Sequence, residues 1–192
     1  MRLRLVFLTI LGLTSPEARA GGGVSDPELD HQVSALHIKA DIVINGELDE
    51  SEWQQAEPVT DFTQQEPFIG EPASERTEVR LLYDDNTLYV GIYCFDSAGE
   101  EGLVVNDVRR DFPPLENDLF ALMLDTFDDN RNGFLFSTNP KGAKRDGQVG
   151  GDGTTTNFDW DASWDVKSKI TESGWQAEMA IPFKSLRFRK DP

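Results

Sequence analysis

Val79, Leu81 and Tyr83 alternate with Glu78, Arg80 and Asp84, the two-residue period of a strand with one face in a core and the other in water. Asp84, Asp85 and Asn86 tolerate positive φ and bond back to their own backbone, so the chain is expected to reverse there. Residues 88–95 return as a run that is apolar on both faces and rich in β-branched and aromatic side chains. That run predicts a strand covered on both sides. A two-stranded ribbon is not stable alone, so the flanking segments must supply more strands and an opposing layer.

Similar patterns recur on either side. Residues 37–44 alternate well enough for a first strand, with Ile38, Ile42 and Ile44 on one side and Gly46 as its breaker. Asp49 stands three residues before Glu52, the spacing of a capping box, which predicts a single helical turn over 50–55 with Trp53 as a lid on the core. Residues 57–74 carry three prolines and no clean period, and are expected to be an extended loop with a short strand near Phe62. An edge strand over 104–109 and a proline-bound turn over 112–116 precede a second covered strand at 119–124. Phe134, Phe136 and Thr138 form its hairpin partner. Residues 141–161 hold five glycines and no period, and are expected to be a long irregular loop of the kind that carries function or mobility. Two strongly alternating strands close the chain, with Trp164, Val166, Ser168 and Ile170 inward on one, and Trp175, Ala177, Met179 and Ile181 inward on the other. Gln176 and Glu178 are expected to face water. The whole predicts an all-β, antiparallel two-sheet sandwich.

The first residues break this pattern. Arg2 and Arg4 precede an apolar run over 5–13 and a polar stretch ending Ala18, Arg19, Ala20, the order of an export signal with cleavage after Ala20. The run is too short to span a bilayer. Residues 1–20 are therefore expected to be a leader and 21–35 a flexible tether. Residues 36–188 are expected to form the domain, and 189–192 to begin a continuation cut short at Pro192. An exported product would be periplasmic, outer-membrane-associated or extracellular.

Composition narrows the partners. The 192 residues carry 35 acidic against 18 basic side chains, a formal net charge of −17, and loss of residues 1–20 makes it more negative still. Such a surface repels phosphate backbones and anionic lipid headgroups, so nucleic acid is not an expected partner. Cys94, the single cysteine, has no internal partner and lies in a covered strand as a small hydrophobe.

Candidate chemistry rests on few residues. Trp164 and Trp175 fall on the inward phase of their strands, which leaves Trp160 beside Asn157, Phe158, Asp159 and Asp161. An exposed indole flanked by carboxylates and amides suits a sugar, whose C–H face packs on the ring while hydroxyls meet the polar groups. Equally, the ring can fold back and plug one end of the sandwich. Arg110 and Asp118, in a charged patch with Arg109, Asp111 and Glu116, are candidate hydroxyl partners alongside Asn157. The guanidinium groups suit internal carboxylate pairing as well. Asp128, Asn130, Asn132 and Gly133 follow the spacing of a calcium loop, but Asn139 stands where a bidentate glutamate is needed, and a polar hairpin turn explains the same letters. No nucleophile elbow, zinc-binding histidine pair or haem-attachment motif is present, so no catalytic residues are expected.

Several motifs in order resemble carbohydrate-binding module family 9. They are Ile44-Asn45-Gly46 with Leu48-Asp49-Glu50 and Trp53, Leu88-Tyr89-Val90, residues 118–125, and Gly174-Trp175 with Glu178, Ile181, Pro182 and Leu186. Residues 124–142 and 174–188 are similar in particular to the family-9-like domain that begins large exported bacterial proteins with an outer-membrane-barrel-like region. The resemblance covers about residues 36–188. It implies a β-sandwich, a saccharide partner held between two tryptophans in members that bind one, and structural calcium in some. The implied function is a non-catalytic carbohydrate-binding domain, an accessory module in carbohydrate catabolism. The alternative is an interaction domain that packs on its own C-terminal region without binding sugar.

Overall fold

A computed structural model describes residues 4–10, as backbone, and residues 33–188. The strands are β1 (Arg4–Ile10), β2 (Leu36–His37), β3 (Thr77–Tyr83), β4 (Thr87–Phe95), β5 (Leu119–Asp125), β6 (Gly133–Thr138), β7 (Lys144–Gly150), β8 (Thr155–Asn157), β9 (Asp165–Thr171) and β10 (Gly174–Pro182). They form two five-stranded sheets, in the orders β1-β5-β6-β7-β8 and β2-β3-β4-β10-β9. All pairings are antiparallel except β2 with β3. The molecule is an all-β sandwich.

The inward phases meet between the sheets. Val79, Leu81, Val90 and Ile92 from β3 and β4, with Ala177, Met179 and Ile181 from β10, pack with Phe120, Leu122, Leu124, Phe134 and Phe136 from β5 and β6. Trp164 and Trp175 are each 3% exposed and belong to this core, as their alternation predicts. At the β3–β4 reversal, Asp84 Oδ1 accepts the N–H groups of Asn86 (2.7 Å) and Thr87 (2.8 Å). The carboxylate closes this turn without any of the three residues adopting positive φ.

The outer faces are also covered, as the apolar runs at 88–95 and 119–124 predict, and the cover reaches Glu178 of β10, where alternation had predicted water. Ile38, Ile42, Trp53, Ala56 and Leu82 form a second apolar layer outside the β3–β4–β10 face. The strand expected over 37–44 shrinks to Leu36–His37, because its isoleucines are used in this cap, off the ladder. The helical turn is present as α1 (Ser51–Gln55), but its N-cap is Glu50 with no side-chain cap bond. Glu50 Oε1 instead accepts Val43 N at 3.1 Å, so the expected Asp49 capping box does not form. On the other sheet Phe112, Leu119, Ala121 and Ala143 make a third cluster. It holds the 103–118 connection against β5, and only the bridge between Val105 and Asn117 remains of the expected edge strand.

The loop expected over 141–161 contains β7 and β8. Its inward positions are Lys144, Asp146 and Gln148, opposite Thr138, Phe136 and Phe134, so a strand is present without any hydrophobic alternation. Gly147 permits it locally, since a Cβ there would lie 2.7 Å from Thr156 Cγ2. Of the expected leader, only 4–10 are described, running as β1 along β5. The rest of it, most of the tether and 189–192 lie outside the described residues.

Candidate functional site

Register places Asp146 opposite Phe136, pointing into the sandwich with no exposed surface. A carboxylate there must be paired and hydrogen-bonded. Arg110 Nη2 lies 2.5 Å from Oδ1, and the N–H of Ala162 donates to Oδ2 at 2.5 Å. Burial pushes the Asp146 carboxyl above the usual carboxylate range, and these two partners oppose it. Trp164 Nε1 makes no hydrogen bond of normal geometry, though its N–H is close enough to favour the ionised carboxylate.

Arg110 ties three segments together. Its Nε lies 2.6 Å from Asp161 Oδ1, and the next residue, Asp111, at φ 59°, donates its N–H to the carbonyl of Lys144 at 2.9 Å. The 103–118 connection, β7 and the loop after β8 are thus held by one side chain. Beside it opens a cleft of about 530 Å³, walled by Ile44, Val108, Arg110, Lys144, Asp165 and Lys167 among others. Lys144 Nζ donates to the carbonyl of Trp164, lies 3.2 Å from Asp165 Oδ1, and sits 5.4 Å from the centre of the Trp164 ring.

The structure brings some of the expected residues together and separates others. Trp160 is half-buried, its ring centroid 4.9 Å from that of Phe134 and 6.2 Å from that of Phe136. One part of the indole therefore closes the core while the rest meets solvent. The following residue is Asp161, so Trp160 and Arg110 belong to one assembly. Asn157, exposed on β8, accepts the N–H of Asp159 through Oδ1 at 3.1 Å, and beside it the Arg145 guanidinium lies 3.9 Å over the Phe158 ring. Asp118 is 7% exposed and accepts Val104 N at 2.7 Å, which commits it to a different part of the connection. Arg109 pairs with Asp107 at 2.5 Å on the surface, holding that carboxyl down to about 2.

The calcium-like letters form the β5–β6 turn. Asp125 accepts the N–H groups of Phe127, Asp129 and Asn130, and Asp129 accepts those of Arg131 and Asn132 together with Asn132 Nδ2. Asp128 and Asn130 have φ of 51° and 55°. Among the described residues no group of three or more His, Cys, Asp or Glu converges as a metal site would. No described helix is long and apolar enough to cross a membrane.

Sequence reasoning missed Asp146, Lys144, Lys167 and Asp165 as site residues. The first two lie in the stretch taken as irregular, and the others on the polar phase of a strand. The one available signal was the alternation of long polar side chains at 144, 146 and 148.

No family model and no curated protein sequence matches the chain. Solved structures do. A carbohydrate-binding module of family 9 from Caldicellulosiruptor kristjanssonii in complex with glucose superposes with a TM-score of 0.54 at 20% identity, over 83% of this chain and 71% of that one. The fold is that of a family 9 carbohydrate-binding module. The cellotriose complex of such a module from the same organism gives 0.53 at 19% identity, over 83% and 70%. A carbohydrate-binding protein from Bacteroides uniformis, described in its structure as putative, gives 0.59 at 12%, over 80% and 73%. The sandwich is thus a fold also used by modules solved with glucose and with cellotriose.

Proposed function

We propose that this chain is a non-catalytic carbohydrate-binding domain of an exported protein, an accessory module that holds a saccharide for carbohydrate breakdown carried out elsewhere. The observation that carries the reading is the cleft of about 530 Å³ beside Arg110, within the size range of small-molecule sites, on a fold whose solved neighbours hold glucose and cellotriose. Arg110 and the lysines offer donors to hydroxyls, and the aliphatic flanks of Ile44 and Val108 offer surface to C–H groups; Trp160, whose neighbour Asp161 pairs with Arg110, and Asn157 are proposed as further contacts. Asp118 is a candidate only if the connection at Val104 opens. With one partly used indole the affinity is expected between micromolar and millimolar, about −8 to −4 kcal/mol.

Calorimetric titration with mono- and oligosaccharides tests this. Binding that weakens in Trp160→Ala and Arg110→Ala supports the reading, and no heat with any sugar removes it. A second reading, an interaction domain, draws on Val108 and Leu115, which are 64% and 74% exposed on the 103–118 connection. It predicts that these two side chains are shielded from labelling or proteolysis when a protein partner is bound.

A further inference from the structure

The cleft runs against the charge of the chain that carries it. The protein bears a formal charge of −17, yet the cleft is lined by Arg110, Lys144 and Lys167 with Asp165 as the single carboxylate. Asp165 is already held by Lys144 at 3.2 Å. Asp146 and Asp161, which pair with Arg110, and Asp111, whose Oδ2 lies 3.9 Å from Arg110 Nε, are not part of the lining. They use its Nη2 and Nε, and Nη1 makes no hydrogen bond among the described residues. Lys167 is exposed and forms no ion pair among the described residues. A guanidinium edge and an ammonium are therefore both available within one small concavity.

We infer that this cleft takes a saccharide bearing a carboxylate, a uronic acid or short uronate oligomer, with Arg110 Nη1 and Lys167 as its anion partners. The inference rests on the saccharide-binding reading and specifies its ligand class. Guanidinium and ammonium groups form shorter and stronger bonds to a carboxylate than to neutral hydroxyls, and several cations lining one concavity raise the local concentration of an anion. The aliphatic flanks at Ile44 and Val108 then serve the ring. Because the chain as a whole carries a formal charge of −17, a long polyanion is repelled by the molecule overall, so the preferred ligand is short.

The test measures the intact chain by calorimetry against galacturonate and glucuronate, matched galactose and glucose, their dimers and trimers, a 6-sulfated hexose and inorganic sulfate. A uronate binding at least tenfold more tightly than its neutral counterpart, about 1.4 kcal/mol, is expected. The preference should collapse at 1 M salt, where screening reaches about 3 Å, and in Lys167→Gln, with circular dichroism reporting that this exposed variant folds. Affinity should stop rising beyond the dimer or trimer. Equal or tighter binding of the neutral sugars overturns the inference and leaves the carbohydrate-binding reading standing, whereas no binding of any sugar overturns both. Sulfate or the sulfated sugar binding as well as the uronate also overturns it, reducing the cleft to a general anion patch.

Discussion

The indole N–H of Trp53 donates to Oε1 of Glu178 at 3.0 Å, joining residues 125 apart in sequence. The other oxygen, Oε2, accepts the N–H groups of Asn45 at 2.8 Å and Gly46 at 2.9 Å. Glu178 has no exposed surface, so this carboxylate fastens the 36–56 cap to the outer face of β10. Trp53→Phe keeps most of the apolar volume but leaves Oε1 without its donor. It is expected to cost about 1–3 kcal/mol, read as a lower midpoint in urea denaturation. An unchanged midpoint would show that the cap does not depend on this bond.

Gly91 sits opposite Glu178 in the β4–β10 ladder, and a Cβ there would lie 2.8 Å from the Trp53 ring. The absence of a side chain lets the indole lie directly on the strand. Gly91→Ala is expected to destabilise by about 1–3 kcal/mol through overpacking. Combined with Trp53→Leu it should cost less than the sum of the two single changes, because one clash is shared. Strict additivity in that double-mutant cycle would contradict the contact.

Burial raises the Glu178 carboxyl above its ordinary 4.5, against the opposing N–H donors of Gly46, Asn45 and Trp53. A carboxyl whose folded pKa exceeds its unfolded one binds more protons in the native state. Its contribution is therefore fully present below the unfolded value and lost as pH rises through the folded one. Asp146, raised from 3.8 by burial, acts with the same sign. Relative to the non-titrating Glu178→Gln, the wild type should lose stability as pH climbs from below 4.5 through the folded value. Denaturation series for both proteins at several pH values check this, and a stability difference that grows with pH would refute the sign.

Arg110→Ala leaves Asp146 buried with Ala162 N–H as its hydrogen-bond donor. Removing one partner of a fully buried pair costs about 3–5 kcal/mol. The Arg110 side chain is 38% exposed, and so about 2 kcal/mol is expected here. Asp146→Asn in the Arg110→Ala background should recover part of the loss, since no unpaired charge remains. Thermal unfolding of the two variants measures the recovery.

Trp160→Ala removes a ring packed on Phe134 and Phe136 and should lower stability by about 1–3 kcal/mol, less than for a fully buried tryptophan. Trp160→Phe should restore most of that stability. Measuring stability and sugar titration on both variants separates the packing role of the ring from any role in binding. Full stability in Trp160→Ala would place the ring outside the core.

The strand pairs β3–β4, β5–β6 and β9–β10 were legible because each carries an inward apolar phase that no other local structure satisfies. Val79 and Leu81, Phe134 and Phe136, and Ala177 and Met179 all face the core as their alternation predicts. The same logic failed at Glu178, whose polar letter signalled water. It failed again at β7, where Asp146 occupies an inward position that alternation reserves for an apolar side chain. Alternation records which residues share a face, and it carries no information about what later covers that face.

Sequence alone determined the all-β class, the main hairpins, the burial of Trp164 and Trp175 and the acidity of the surface, because these follow from local period and composition. The tertiary structure decided which segments cover the outer faces, that Trp53 meets Glu178, and that Arg110 gathers Asp146 and Asp161 beside a cation-lined cleft. Each of those depends on segments brought together across many residues of chain. Their partners are set by the register and stacking of the two sheets, which no short window of sequence contains.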